Sequence, residues 1–140
     1  MCNNSDSAYF PLQAGEGKWT VSAKTQRLGK DILVAFIGGH APHIGAAALA
    51  VPRPGISDPE KVSASASVLC KTGHKDDELS REAALRIAAA CNTTVCVTVG
   101  IHIDDATSDD IEQFAQNFFY LVDRVIELLS DEATQSRQLP

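Results

Sequence analysis

The chain has 140 residues, enough for one compact domain that buries roughly 68–70% of its unfolded surface and too few to favour a second. Against 18 Asp+Glu stand 12 Lys+Arg, a net charge of −6, and this balance disfavours a protein that coats nucleic acid or anionic membrane. At 44% hydrophobic and 21% charged the composition is that of a soluble globular domain, without the roughly 20-residue apolar run that spans a bilayer.

The first 16 residues are polar and carry no apolar period, so they read as an N-terminal tail. They lack the basic and apolar regions of a secretory signal, so a cytoplasmic protein is expected. Trp19, Val21 and Ala23 alternate with polar neighbours, the period of a half-buried strand. After a turn at Leu28–Asp31, the run Ile32–Ile37 reads as a buried central strand ended by Gly38-Gly39. His43–Val51 offers an Ala-rich third strand closed by Pro52 and Pro54, and Ser63–Cys70 a fourth beyond a proline-bearing loop. Leu79, Ala83, Ala84, Ile87, Ala88 and Cys91 recur at helical steps, giving a helix over 76–91 with an acidic first turn. Thr94–Val99 is a β-branched fifth strand. Thr107 or Ser108 then caps a final helix striped by Ile111, Phe114, Phe118, Leu121, Val125 and Leu129, and 131–140 reads as a C-terminal tail.

The order ββββαβα, with one βαβ crossover, predicts a two-layer α/β sandwich: a mixed five-stranded sheet with both helices on one face, over residues 17–130. Cys2, Cys70, Cys91 and Cys96 form no CxxC pair or disulfide framework, so reduced thiols are expected. An exposed edge strand and a phenylalanine-rich final helix leave a homodimer open, through edge pairing or helix packing.

The chain contains 4 His, and all fall in short segments at strand ends. These are Gly38-Gly39-His40-Ala41-Pro42-His43-Ile44-Gly45, Gly73-His74-Lys75-Asp76-Asp77-Glu78-Leu79, and Gly100-Ile101-His102-Ile103-Asp104-Asp105. If the second, third and fourth strands form a meander, the ends of the second, fourth and fifth share one edge of the sheet. The three segments then converge where ligands of parallel sheets commonly bind.

Each segment also has a plainer reading. The first is equally a hairpin loop with turn glycines. Gly73-His74-Lys75, before a helix, suits an anion such as phosphate, yet Asp76 or Asp77 suits simple capping. His102 with Asp104 is a carboxylate-oriented histidine or a polar loop. His40, His43, His74, His102 and Asp104 include enough ligands for a metal-dependent hydrolase or isomerase, but no spacing matches a zinc signature such as HExxH. The small residues from Ala46 to Ala50 fit a closely packed helix or leave room for a flat ring.

Taken together and in order, Gly38–Ala50, Gly73–Leu79 and Gly100–Asp104 resemble the LpdD-like family, small proteins associated with gallate decarboxylase, over about residues 17–128. The resemblance implies a non-catalytic chaperone that holds prenylated FMN, or FMN, and helps mature a UbiD-type aromatic acid decarboxylase. It implies cofactor-binding roles for Gly39, His40, Pro42, His43, Gly45, Gly73, His74, Lys75, His102 and Asp104, with no catalytic residue and no metal. On that view the phosphate meets Gly73-His74-Lys75, and the ring lies by the glycine turn and Ala46 and Ala48. A decarboxylase subunit that acts only by docking is the further alternative.

Overall fold

The protein is described from a computed structural model covering residues 10–71 and 76–138. Strands β1 (Leu12–Ala14), β2 (Val21–Leu28), β3 (Asp31–Gly39), β4 (Ala46–Pro54) and β5 (Val62–Cys70) precede helix α1 (Asp77–Cys91), strand β6 (Val95–His102) and helix α2 (Ser108–Gln138). The strands form one sheet in the order β1-β2-β3-β6-β4-β5. Only β3 and β6 pair in parallel; the other neighbours are antiparallel.

The α/β class and the placement of both helices on one face match the sequence reading. Three details of the sheet differ. The sheet has six strands rather than five, because β1 forms inside the stretch expected as a tail; a three-residue strand is too short to display a period. Pro52 does not close β4, which runs on to Pro54 along the β5 register. The meander also fails: β6 inserts between β3 and β4, and Ile32, Val34 and Phe36 pair with Val95, Val97 and Val99 instead. This puts the valine-rich strand in the middle of the sheet, where its inward side chains are fully buried. β3, β5 and β6 nevertheless run the same way, so their C-terminal ends share one edge.

The core lies between the sheet and the helices. Ala83, Ala84, Ile87 and Ala88 of α1 are buried in the same cluster as Ala48 and Ala50 of β4. Small residues on both sides permit a close approach, and α1 packs along β4, β5 and β6. Asn92 ends α1 in the left-handed conformation, φ 50°, a common helix stop. α2 lies beside α1 and over β1 and β2, with Phe118 against Phe36 at 4.8 Å between ring centroids. Phe114 and Phe118 thus belong to the monomer core, and the phenylalanine stripe is not a free docking face. The helix continues to Gln138, so 131–138 is helical where a tail was expected; no glycine or proline interrupts it before Pro140. No helix among the described residues is long and apolar enough to cross a membrane.

The start of α2 is tied to the β1–β2 corner by one buried carboxylate. Asp110 accepts the Thr107 N–H at 3.0 Å while its own N–H donates to Thr107 Oγ1 at 3.1 Å, a reciprocal capping box. Its other oxygen accepts Trp19 Nε1–H at 2.8 Å and sits 2.9 Å from Lys18 Nζ. The Thr107 amide first, then Lys18 and Trp19, hold the Asp110 carboxyl well below the usual carboxylate range. A carboxyl whose folded pKa lies beneath its unfolded value of about 3.9 contributes stability that is complete above that value and lost as pH falls toward the folded one. Urea midpoints should therefore decline more steeply between neutral pH and about pH 3 for the native chain than for Asp110→Asn; equal declines would remove Asp110 as the cause.

Candidate functional site

The connection from β3 to β4 must pass over the end of β6, and glycines make that crossing fit. Gly39 turns the chain at φ 77°, and a Cβ there would overlap the His102 carbonyl. His40 N–H donates to that carbonyl at 2.7 Å, and Gly45 N–H donates to Val99 O at 2.9 Å. Between these two bonds the loop lies against Gly100, where a Cβ would overlap the His43 carbonyl. Any other residue at 100 would push the loop away.

Asp76 fixes the loop from the other side. It occupies the cap position of α1 but makes no side-chain capping bond. Its buried carboxylate turns to the crossing, where Oδ1 accepts Ile101 N–H at 3.3 Å and Oδ2 lies 3.4 Å from His43 Nε2. The space for this carboxylate exists because residue 45 is glycine; a Cβ at Gly45 would overlap Asp76 Oδ2. His43 Nδ1 is 2.8 Å from the Ala41 carbonyl, which accepts only, so that ring nitrogen carries a proton and Nε2 addresses the carboxylate.

A second, more exposed group adjoins the first. His102 Nε2 is 3.0 Å from Asp104 Oδ1, and His40 Nδ1 is 4.0 Å from Asp104 Oδ2. The His43 and His102 rings stand edge to face at 6.3 Å. The structure thus brings together His40, His43, His102 and Asp104, with Gly39, Pro42 and Gly45 shaping the loop that carries them. Gly73, His74 and Lys75 lie outside the described residues. Among the described residues no group of three or more His, Cys, Asp or Glu side chains is arranged to hold a metal ion.

Asp76 is the member that sequence reading passed over. Next to Asp77 and Glu78 it looks like one more acidic residue of a helix start, and only the fold reveals that Gly45 and Ile101 await its carboxylate.

Beside this cluster a cavity of about 740 Å³ opens on the helical side of the sheet. Leu79 of α1, Ile101 of β6 and Ile103 just beyond it, and Ile111, Phe114 and Phe119 of α2 form its apolar walls; Asp76, Glu78, Arg81, Glu82 and His102 form its polar margin. Asp76 and His102 belong to both the cluster and the cavity. Ala46 and Ala48 do not line it: they are 2% and 0% exposed in the core. The space for a flat ring expected above β4 is taken by α1, and the open volume lies instead between α1 and α2.

The LpdD-like prenylated flavin chaperone domain matches residues 15–130. The chain belongs to that family. All three histidine-bearing segments fall inside the matched span. No curated protein matches the chain. Among solved structures it is similar to a chain from the crystal structure of a chaperone complex for yeast 20S proteasome assembly, at 13% identity and a TM-score of 0.51. That match covers 88% of this chain and 95% of the other, a likeness of fold alone. In this member of the family, the crossing loop and Asp76 are mutually dependent. Gly100→Ala should cost about 3 kcal/mol or more, since backbone has to move, and Asp76→Ala about 1–3 kcal/mol through the orphaned Ile101 amide. Denaturant unfolding ranks the two, and faster hydrogen exchange at Ile101 in Asp76→Ala checks the cause; unchanged exchange there would disprove the assignment.

Proposed function

We propose that the protein is a cytoplasmic, non-catalytic carrier of prenylated FMN that helps mature a UbiD-type aromatic acid decarboxylase. The observation that carries this reading is an apolar cavity joined to a histidine and carboxylate cluster, in a chain of the prenylated flavin chaperone family. Its volume lies within the roughly 300–1,000 Å³ of ordinary small-molecule sites. Aliphatic and aromatic walls suit a flat heteroaromatic ring. The polar margin suits that ring's hydrogen-bonding edge, with His102 on it oriented by Asp104 and with Asp76, which also holds His43, beside it.

The phosphate requires a different place, because Glu78 and Glu82 stand on the cavity margin. Gly73, His74 and Lys75 directly precede Asp76 in sequence, and Lys75 and Arg81 are the cations of that stretch of sequence. The decarboxylation chemistry belongs to the flavin once it sits in its enzyme. What this chain contributes is binding, orientation and shelter from water.

Absorbance titration should show FMN or its prenylated form binding at one site per chain without turnover. His102→Ala and the pair His74→Ala with Lys75→Ala should each weaken binding by roughly tenfold, about 1.4 kcal/mol. The paired substitution should also abolish activation of the decarboxylase. Absence of flavin binding, with a transition metal retained through gel filtration, would overturn the reading in favour of a metal-dependent enzyme. Activation that survives the paired substitution would instead leave a subunit that acts only by docking.

A further inference from the structure

At the end of the sheet far from the histidines, the β2–β3 hairpin, the last turn of α1 and the last third of α2 line a second cavity of about 250 Å³. It collects Arg27 from the end of β2, Lys30 from the hairpin turn and Arg137 from the end of α2. These are 3 of the 12 Lys+Arg of a chain with net charge −6, and no Asp or Glu lines the cavity with them. Like charges held together in a partly apolar recess repel, so such a gathering persists only where something answers it.

The groups that answer it within the protein fall short. Arg27 Nε lies 3.3 Å from Glu132 Oε2, and Arg27 Nη2 donates to the Leu129 carbonyl at 3.3 Å, so this guanidinium is anchored and its charge is paired. Lys30 Nζ and the Arg137 guanidinium make no ion pair or hydrogen bond among the described residues. α1, which has no basic residue in its last turn, and α2 both end here, and the negative end of each helix is worth about half a charge. Two unpaired cations against these helix ends leave roughly one positive charge over. Ile32 and Leu129, both almost fully buried, form part of the wall, so that charge is screened less than at an open surface. Its field reaches Cys91 in the same wall, where burial pushes the thiol up and Arg27 pulls against burial.

The donors are those a tetrahedral oxyanion takes. Arginine presents planar N–H forks that match phosphate oxygens, and lysine presents a mobile ammonium. Ser130 adds a hydroxyl that has no partner among the described residues. The volume lies below the roughly 300–1,000 Å³ of sites that enclose whole small molecules, so the cavity takes an anionic group rather than an entire nucleotide.

We propose that this cavity is a phosphate-group site, in which Lys30, Arg137 and the anchored Arg27 hold inorganic phosphate or the phosphate of an ester. It goes beyond the family: the matched span ends at residue 130, whereas Glu132, which anchors Arg27, and Arg137 lie past it. It is also independent of the flavin reading, because the length of β3 separates it from the histidine cluster by roughly 25 Å. Calorimetric titration of the full chain with inorganic phosphate, at an ionic strength kept constant with chloride, should show a saturable site. Lys30→Gln with Arg137→Gln should weaken it by about tenfold or more. Lys24→Gln, the same loss of charge outside the cavity, and the pair His74→Ala with Lys75→Ala should leave it unchanged. Lys30 and Arg137 are both exposed, and circular dichroism checks that the double variant is folded; Lys30→Gln alone, expected to weaken binding about threefold, serves if it is not. O-phosphoserine binding as well as the free ion supports an ester as the ligand, and its exclusion while phosphate binds supports the free ion. No saturation beyond the effect of chloride, or binding that Lys30→Gln with Arg137→Gln leaves intact, would overturn the proposal.

Discussion

The structure depends on one backbone crossing. Residues 40–45 pass over the end of β6 so closely that side-chain atoms at 100 or 45 have no room. That approach lets β3 pair with β6 while β4 takes its other edge. Every consequence for the site follows from it: His40 bonds the His102 carbonyl, His43 is suspended above Gly100, and the histidines of two distant segments meet. The loss of entropy in such a loop is offset by backbone hydrogen bonds and by one buried carboxylate, without a dedicated hydrophobic cluster.

That carboxylate also decides the electrostatics. Asp76 lies at the start of α1, where the helix dipole and free N–H groups favour a negative charge, and it uses this setting to hold a histidine and an amide of another strand. A site built so tolerates an anionic margin at the cavity, because the charge nearest the histidines is already compensated by hydrogen bonds.

Much of this was legible in the residues. β3, α1 and the core of α2 carry clear periods, and the parallel pairing of β3 with β6 brings together the segments around His40 and His102, while Gly73, His74 and Lys75 lie outside the described residues. The insertion of β6 was not legible, because strand order depends on which loop can cross which strand end, and that turned on Gly100 meeting His43. β1 has too few residues for a pattern. The cavity escaped because the alanines of β4 are equally good at admitting a helix or a ring, and only the packing of α1 distinguishes these outcomes. Asp76 escaped because its role depends on Gly45, 31 positions away in sequence.

The continuous apolar run of β3 has a further meaning in this light. A strand buried on both faces needs apolar residues at every position, yet the monomer covers only one face, leaving Leu33, Ala35 and Ile37 half-buried. β6 and β4 repeat the inconsistency with Cys96, Ala47 and Leu49. Solvent on that face would favour strict alternation with polar side chains, as β2 shows with Lys24 and Gln26 on the same side. The alternation is lost in β3, β6 and β4 and kept in β2 at the margin of the sheet, so the apolar character of the uncovered face is confined to its central strands.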